Sequence, residues 1–173
     1  MSTTRRPVSS WYESRAAVSA GDRSGATKKA RLERALISCA IACEDARRSY
    51  TLAAWNAHDP DLHDMFVALL REREQQSNAI ERLLGARSSG SKLAFARRAA
   101  LELRIMFGRD DQRILDACRA VEKSAEASYS AARDTVAVDS QSLTLRELLA
   151  DHHGSIERSV AQLESEIRAL RDA

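Results

Sequence analysis

Five residues of this chain have side chains that could do chemistry inside a helical protein: Glu44, Glu72, Glu122, Glu126 and His152, with Gln75 and Gln76 close by in the second stripe. Each lies in or beside an otherwise apolar helical stripe. Carboxylates and imidazoles at one height are what a carboxylate-bridged pair of iron or manganese ions requires, since oxygen donors compensate two dications and His nitrogens fix their geometry. In four-helix bundles such a centre takes a Glu from each of two helices and a Glu-x-x-His from each of the other two. This chain contains no Glu-x-x-His: Glu72 is followed three residues later by Gln75, and Leu149 stands three residues before His152. The ligand set is short. The leading expectation is therefore a buried polar layer in which Arg73, Gln76, Glu122 and His152 satisfy one another and set helix register. A mononuclear or weak metal site is the alternative.

Other reactive side chains have simpler readings. Cys39 and Cys43 are four residues apart and could share a soft metal, but with Cys118 expected towards the other end of the molecule they read as small buried thiols. His58 and His63 lie among Asp59, Asp61 and Asp64, which invites a surface metal, yet helix capping accounts for the aspartates. Gly154 inside a helical pattern is expected to permit a close helix approach beside His152 or to mark a bulge. The chain has no glycine-rich phosphate loop, no Ser-His-Asp order and no Cys-x-x-Cys.

The elements that position these residues follow from apolar periodicity. A first helix is expected from about Lys28 to Ala57, with Leu32, Leu36, Cys39, Cys43, Ala46, Tyr50 and Ala53 on one face. Asp59-Pro60 supplies a cap and a first-turn proline, so a second, antiparallel helix begins at once and carries Leu62, Phe66, Leu69, Arg73, Gln76, Ile80 and Leu83 up to Gly85. After a polar link a shorter helix is expected at 92–107. A third long helix follows from Asp110 or Asp111, with Leu115, Cys118, Glu122, Ala125, Tyr129 and Ala132. Thr144 to Glu147 has capping-box spacing and opens a fourth, with Leu149, His152, Ile156, Val160, Leu163 and Ile167. The short helix covers roughly 24 Å, enough to return the chain along a bundle as a crossover. Counted from the end where the first two helices meet, Glu44, Gln75, Glu126 and His152 then lie at a common depth of roughly 23 Å. The expected class is all-α, a four-helix bundle with a helical crossover between the second and third long helices.

With 173 residues, 2 prolines and 6 glycines, the chain suits one helical domain. The expected division is residues 1–27 as a flexible basic tail and residues 28–173 as the bundle. Residues 1–30 hold six basic and two acidic side chains, a surplus of four that leaves the remainder at −2 of the chain's net +2. Trp11 and Tyr12 are the tail's candidates for docking on the bundle or on a partner. No run of eighteen apolar residues occurs and the N-terminus has no secretory pattern, so a soluble, cytoplasmic protein with reduced cysteines and no membrane association is expected.

From about Leu36 onward the chain resembles a family of small bacterial four-helix-bundle proteins of unknown function in the ferritin-like superfamily. The resemblance rests on Cys43-Glu44-Asp45 leading to Tyr50, and on Asp59-Pro60-Asp61-Leu62 with Phe66 and Arg73. Further along it rests on Gly90-Ser91, on Ile114-Leu115 with Cys118, Glu122 and Tyr129, and on the closing Ile167 to Asp172. It implies a ferritin-like fold and little about activity. Family members carry an acidic residue where this chain has Arg119, and a His about where it has Val160 or Glu164, so both departures remove candidate ligands.

Three functional readings follow. The first is a non-catalytic or weakly metal-binding ferritin-like bundle, acting as an interaction or stress-associated protein and compatible with a homo-oligomer. The second is a di-metal oxidase or ferroxidase using iron or manganese. The third, ranked last, is a nucleic-acid-associated bundle whose basic tail contacts phosphates.

Overall fold

The computed structural model describes residues 10–85, 110–139 and 142–172, and their side chains from residue 25 to 85, 110 to 138 and 142 to 172. Four long helices make up nearly all of it: α1 Ser10–Asn56, α2 Pro60–Leu84, α3 Asp111–Asp139 and α4 Leu143–Asp172. No strand occurs among the described residues. None of the described helices is long and apolar enough to cross a membrane.

Local chemistry sets the helix ends. Asp59 has extended backbone and its Oδ1 accepts from the Asp61 amide at 2.8 Å, while Pro60 occupies the first turn, so only residues 57–59 separate α1 from α2. Gly85 closes α2 with φ 55, a left-handed conformation that glycine adopts without a Cβ penalty. Asp110 Oδ1 accepts from the Gln112 amide at 3.1 Å and opens α3.

Two boundaries differ from expectation. The α4 cap is Ser142, whose Oγ accepts from the Leu145 amide at 3.3 Å. Leu143 and Thr144 are thus already helical, and the expected capping box at Thr144 lies inside the first turn. Helix α1 begins at Ser10 rather than near Lys28. Residues 25–31 are all exposed and the first buried side chain is Leu36, so helical backbone extends beyond the packed stripe. The expectation for Trp11 and Tyr12 concerns side chains outside the described residues.

The His58 amide donates to Asp111 Oδ1 at 3.0 Å, which ties the start of α3 to the α1–α2 turn. Since α2 ends at the opposite end, α2 and α3 run parallel. The helix expected at 92–107 lies outside the described residues. Backbones approach closely in the α1–α2, α1–α3 and α3–α4 pairs. Helices α2 and α4 meet mainly through long side chains.

The core is divided. One apolar cluster, near the α1–α2 turn, holds Ala53, Leu62, Phe66, Ile114, Leu115, Leu163 and Ile167. The other, towards the far end, holds Leu36, Cys39, Ile80, Ala132, Val136, Leu149 and Ile156. A polar layer separates them.

Candidate functional site

The layer is built from heptad and half-heptad spacings that turn polar side chains onto inward faces. Cys43 and Tyr50 lie two turns apart on α1, as do Glu122 and Tyr129 on α3. Arg73 and Gln76 are one turn apart on α2, and Ser155 and Ser159 one turn apart on α4. All eight are buried.

Arg73 is the hub. Its Nε donates to Glu122 Oε1 at 2.8 Å, one Nη donates to Gln76 Oε1 at 2.6 Å and to Ser155 Oγ at 3.3 Å, and the other donates to Ser159 Oγ at 2.7 Å. Gln76 Nε2 also donates to Ser155 Oγ at 2.9 Å, and Ser155 in turn donates to Glu72 Oε1. The guanidinium and its serine partners fill the seam between α2 and α4. Tyr50 Oη donates to the same Glu122 Oε1 at 2.6 Å, so α1, α2 and α3 converge on one carboxylate oxygen. Glu122 Oε2 is buried with no hydrogen-bond partner.

A second branch continues towards the far end. Cys43 Sγ lies 4.0 Å from Gln76 Oε1 and 3.1 Å from Tyr129 Oη, which lies 3.2 Å from His152 Nδ1. A phenol has one proton, so Tyr129 donates to one of its two neighbours and accepts from the other. The Tyr129 and His152 rings meet edge to face with centroids 5.7 Å apart.

Electrostatics keep Arg73 cationic and disfavour charge on the two phenols and on His152. Burial pulls the Arg73 guanidinium down, but the charge and hydrogen bond of Glu122 more than offset it, and the net shift is upward. Burial, reinforced by the Glu122 charge, raises the Tyr50 phenol well above its ordinary value. Tyr129 is raised by burial and by Cys43. His152 is lowered, first by burial and then by the Arg73 charge, which favours neutral imidazole.

The structure brings together some of the residues singled out from sequence and leaves others apart. Glu122 and His152 belong to the connected network, and Glu72 joins it through Ser155. Of the glutamine pair, Gln76 is buried and Gln75 exposed. Glu44 stands away from the layer: it accepts from Arg47 at 2.8 and 2.9 Å and from Arg48 at 2.9 Å, and Arg47 and then Arg48 hold its carboxyl below the usual range. Glu126 is half-buried on the α3–α4 side. Sequence reasoning missed the phenols of Tyr50 and Tyr129 as network members, and the serines entirely. A buried Tyr needs a partner for its hydroxyl, and two serines one turn apart beside a core stripe need the same, which were the available signals.

These residues do not fit a carboxylate-bridged di-metal group. No three of Glu44, Glu72, Glu122, Glu126 and His152 bring donor atoms within 4.8 Å of one another. Glu122 is paired with a guanidinium, and the His152 Nδ1 faces a phenol. Arg119 pairs with Asp116 at 2.8 Å, Val160 is buried, and Glu164 pairs with Lys123 at 2.9 Å.

The remaining candidates resolve simply. Cys39 and Cys43 lie in the far apolar cluster and Cys118 in the near one, all three buried and unpaired. His63 Nδ1 lies 2.8 Å from the Ala54 carbonyl, and His58 Nδ1 lies 3.5 Å from Asp111. Gly154 corrects an expectation: α4 runs through it without interruption, and a Cβ there would meet only Arg158 Nη1, at 3.6 Å. No neighbouring helix approaches closely enough to require a glycine.

No family model matches the chain, and no curated protein matches it. A solved structure of a Mycobacterium smegmatis Dps1 mutant is similar in fold, with a TM-score of 0.67 at 14% sequence identity, over 82% of this chain and 97% of that chain. Together with the four helices and the parallel run of α2 and α3, this shows a ferritin-like four-helix bundle. At that identity the likeness speaks for architecture alone.

Proposed function

We propose that this chain is a non-catalytic ferritin-like bundle acting as an interaction protein, and that its interior polar layer fixes helix register and is not a centre for oxygen or iron chemistry. One observation carries the reading: Arg73 places a permanent cation at the middle of the bundle, where it pairs with the buried Glu122. A guanidinium has no lone pair and cannot ligate a metal. It supplies the positive charge that a buried carboxylate needs, with a fork of donors that also holds Gln76, Ser155 and Ser159. Buried polar networks of this kind act against slippage, because moving one helix by a turn leaves several donors unpaired at once.

The test is metal content of the full-length protein purified without chelator, compared with Glu122→Gln. Expected is no ion whose retention depends on Glu122. Two iron or manganese ions per chain, both lost in Glu122→Gln, overturn the reading in favour of a di-metal oxidase. The reading also carries a homo-oligomeric assembly, measured by light scattering, and a reducing cytoplasmic setting in which the three thiols stay free. Nucleic-acid association through the basic N-terminal segment is a separate, lower-ranked proposal. It requires a mobility shift that disappears on deletion of residues 1–27 and fades with added salt.

A further inference from the structure

Outside the polar layer, the α3–α4 face holds a second cluster of donors. Glu126 on α3 and His153 and Glu157 on α4 each offer one ligand atom, and these atoms all lie within 4.8 Å of one another. His153 and Glu157 are four residues apart, so they project from the same side of α4, and close packing of α3 against α4 brings Glu126 to them. The imidazole is fixed by burial, being 8% exposed, while Glu157 is open to solvent. One rigid anchor and two more adaptable carboxylates make a workable tridentate set.

A separate observation gives the cluster its direction. Arg133 Nη1 lies 3.2 Å from His153 Nδ1, with Glu157 Oε2 3.5 Å from the same nitrogen. A guanidinium only donates, so in the tautomer that makes this contact the nitrogen accepts and carries a lone pair. The structure thus holds a cationic group against an imidazole lone pair beside a carboxylate, and that group belongs to an exposed side chain able to swing into solvent.

We propose that Glu126, His153 and Glu157 form a divalent transition-metal site on the α3–α4 face, with Arg133 as a displaceable occupant. One imidazole nitrogen and two carboxylate oxygens select an ion of borderline softness such as Zn²⁺ or Co²⁺ over Ca²⁺ or Mg²⁺, which prefer all-oxygen shells. The two carboxylates neutralise the dication, and water completes the coordination on the open side. Bound metal would link α3 to α4 without touching the Arg73 network, so the inference does not rest on the reading of the interior.

The experiment titrates Zn²⁺ into the full chain by calorimetry and follows Co²⁺ by its visible absorption. Expected is one ion per chain, with affinity at least tenfold weaker in His153→Gln and in Glu157→Gln, the latter an exposed change that leaves folding intact. Arg133→Gln should bind several-fold more tightly, because it removes a competing positive charge. Glu122→Gln and a His58→Gln/His63→Gln double variant should bind as the parent does, which separates this site from the interior and from the exposed imidazoles. Unchanged affinity in His153→Gln, unchanged or weaker affinity in Arg133→Gln, or loss of binding in the His58/His63 double variant would overturn the proposal.

Discussion

Arg73 of α2 and Glu122 of α3 meet at 2.8 Å with neither side chain exposed, and the second oxygen of that glutamate is buried without a partner. A charge taken out of water is costly unless its partner is close and its remaining hydrogen-bonding capacity is met. Here the cation is well satisfied, with acceptors from α2, α3 and α4, while the anion rests on one oxygen shared with Tyr50. The pair is therefore asymmetric. Removing the anion strands a well-anchored guanidinium, whereas removing both charges leaves no buried ion and only the neutral Tyr50 hydroxyl and Gln76 oxygen to be repartnered.

Glu122→Gln is accordingly expected to lose about 1–3 kcal/mol in denaturant unfolding, since it leaves a buried cation with a weaker partner. The variant Arg73→Met/Glu122→Leu, combined with Tyr50→Phe so that no hydroxyl is left without its acceptor, should recover most of that loss, because apolar residues of similar volume carry no desolvation cost. A combined variant as unstable as the sum of its single ones would show that the layer contributes net stability and not only register.

Most of the architecture was legible because a bundle is written in periodicity: the stripes through Leu36, Leu62, Leu115 and Leu149 place four helices, and Asp59-Pro60 and Gly85 mark the ends of α2. The boundary of α4 was less so, since Ser142 and Thr144 are both good caps and only the backbone decides between them. The site was half legible. Charged or amide residues on an apolar stripe, such as Arg73, Gln76 and Glu122, announce a buried polar layer. Tyr50, Tyr129 and Cys43 conceal their polar atoms within residues that count as apolar. Glu44 misled because adjacency to Cys43 fixes its height but not its direction, and Arg47 and Arg48, one turn along, draw it outward. His153 and Glu157 went unnoticed because their partner Glu126 comes from another helix, and no spacing within one helix reveals it.

His152 makes stability depend on pH. Its folded value is lowered by burial and by Arg73, with Asp151 on its own helix and Glu72 on α2 opposing weakly, and Tyr129 facing its Nδ1 from α3. Where the folded value lies below the unfolded one, the unfolded state binds the proton first. The stability is thus fully present above the unfolded value, roughly 6.5, and is lost as pH falls from there towards the folded value. Melting temperatures between pH 8 and pH 5 should fall more steeply in the parent than in His152→Gln. Parallel curves for the two proteins would rule out this contribution.

The three thiols should be inert in the native state. Burial, with Cys43 adding repulsion, pushes Cys39 up to about 12, burial outweighs the Tyr129 hydrogen bond to bring Cys43 to about 11, and burial brings Cys118 to about 12. Alkylation requires the thiolate and access to it, and at pH 8 neither is available. Mass spectrometry after iodoacetamide treatment should find no modified cysteine in the folded protein and three after denaturation. Rapid labelling of Cys118 under native conditions would mean that α1 and α3 separate readily, because its Sγ lies 3.5 Å from Ser49 Oγ of α1.

Gly154 offers the simplest gain in stability. It sits within α4, where a glycine costs about 1 kcal/mol relative to alanine through backbone entropy. A Cβ at this position meets only the end of the flexible Arg158 side chain, at 3.6 Å, an ordinary van der Waals distance, and the backbone there is not in the left-handed region. Gly154→Ala should therefore stabilise the protein by up to about 1 kcal/mol. For a chain of this size that is a rise of roughly 2–4 °C in melting temperature by calorimetry. A fall in melting temperature would mean that another surface packs against this stretch of α4 in solution, as a second copy of the chain could, and repeating the measurement across a range of protein concentrations would separate that cause from strain within one chain.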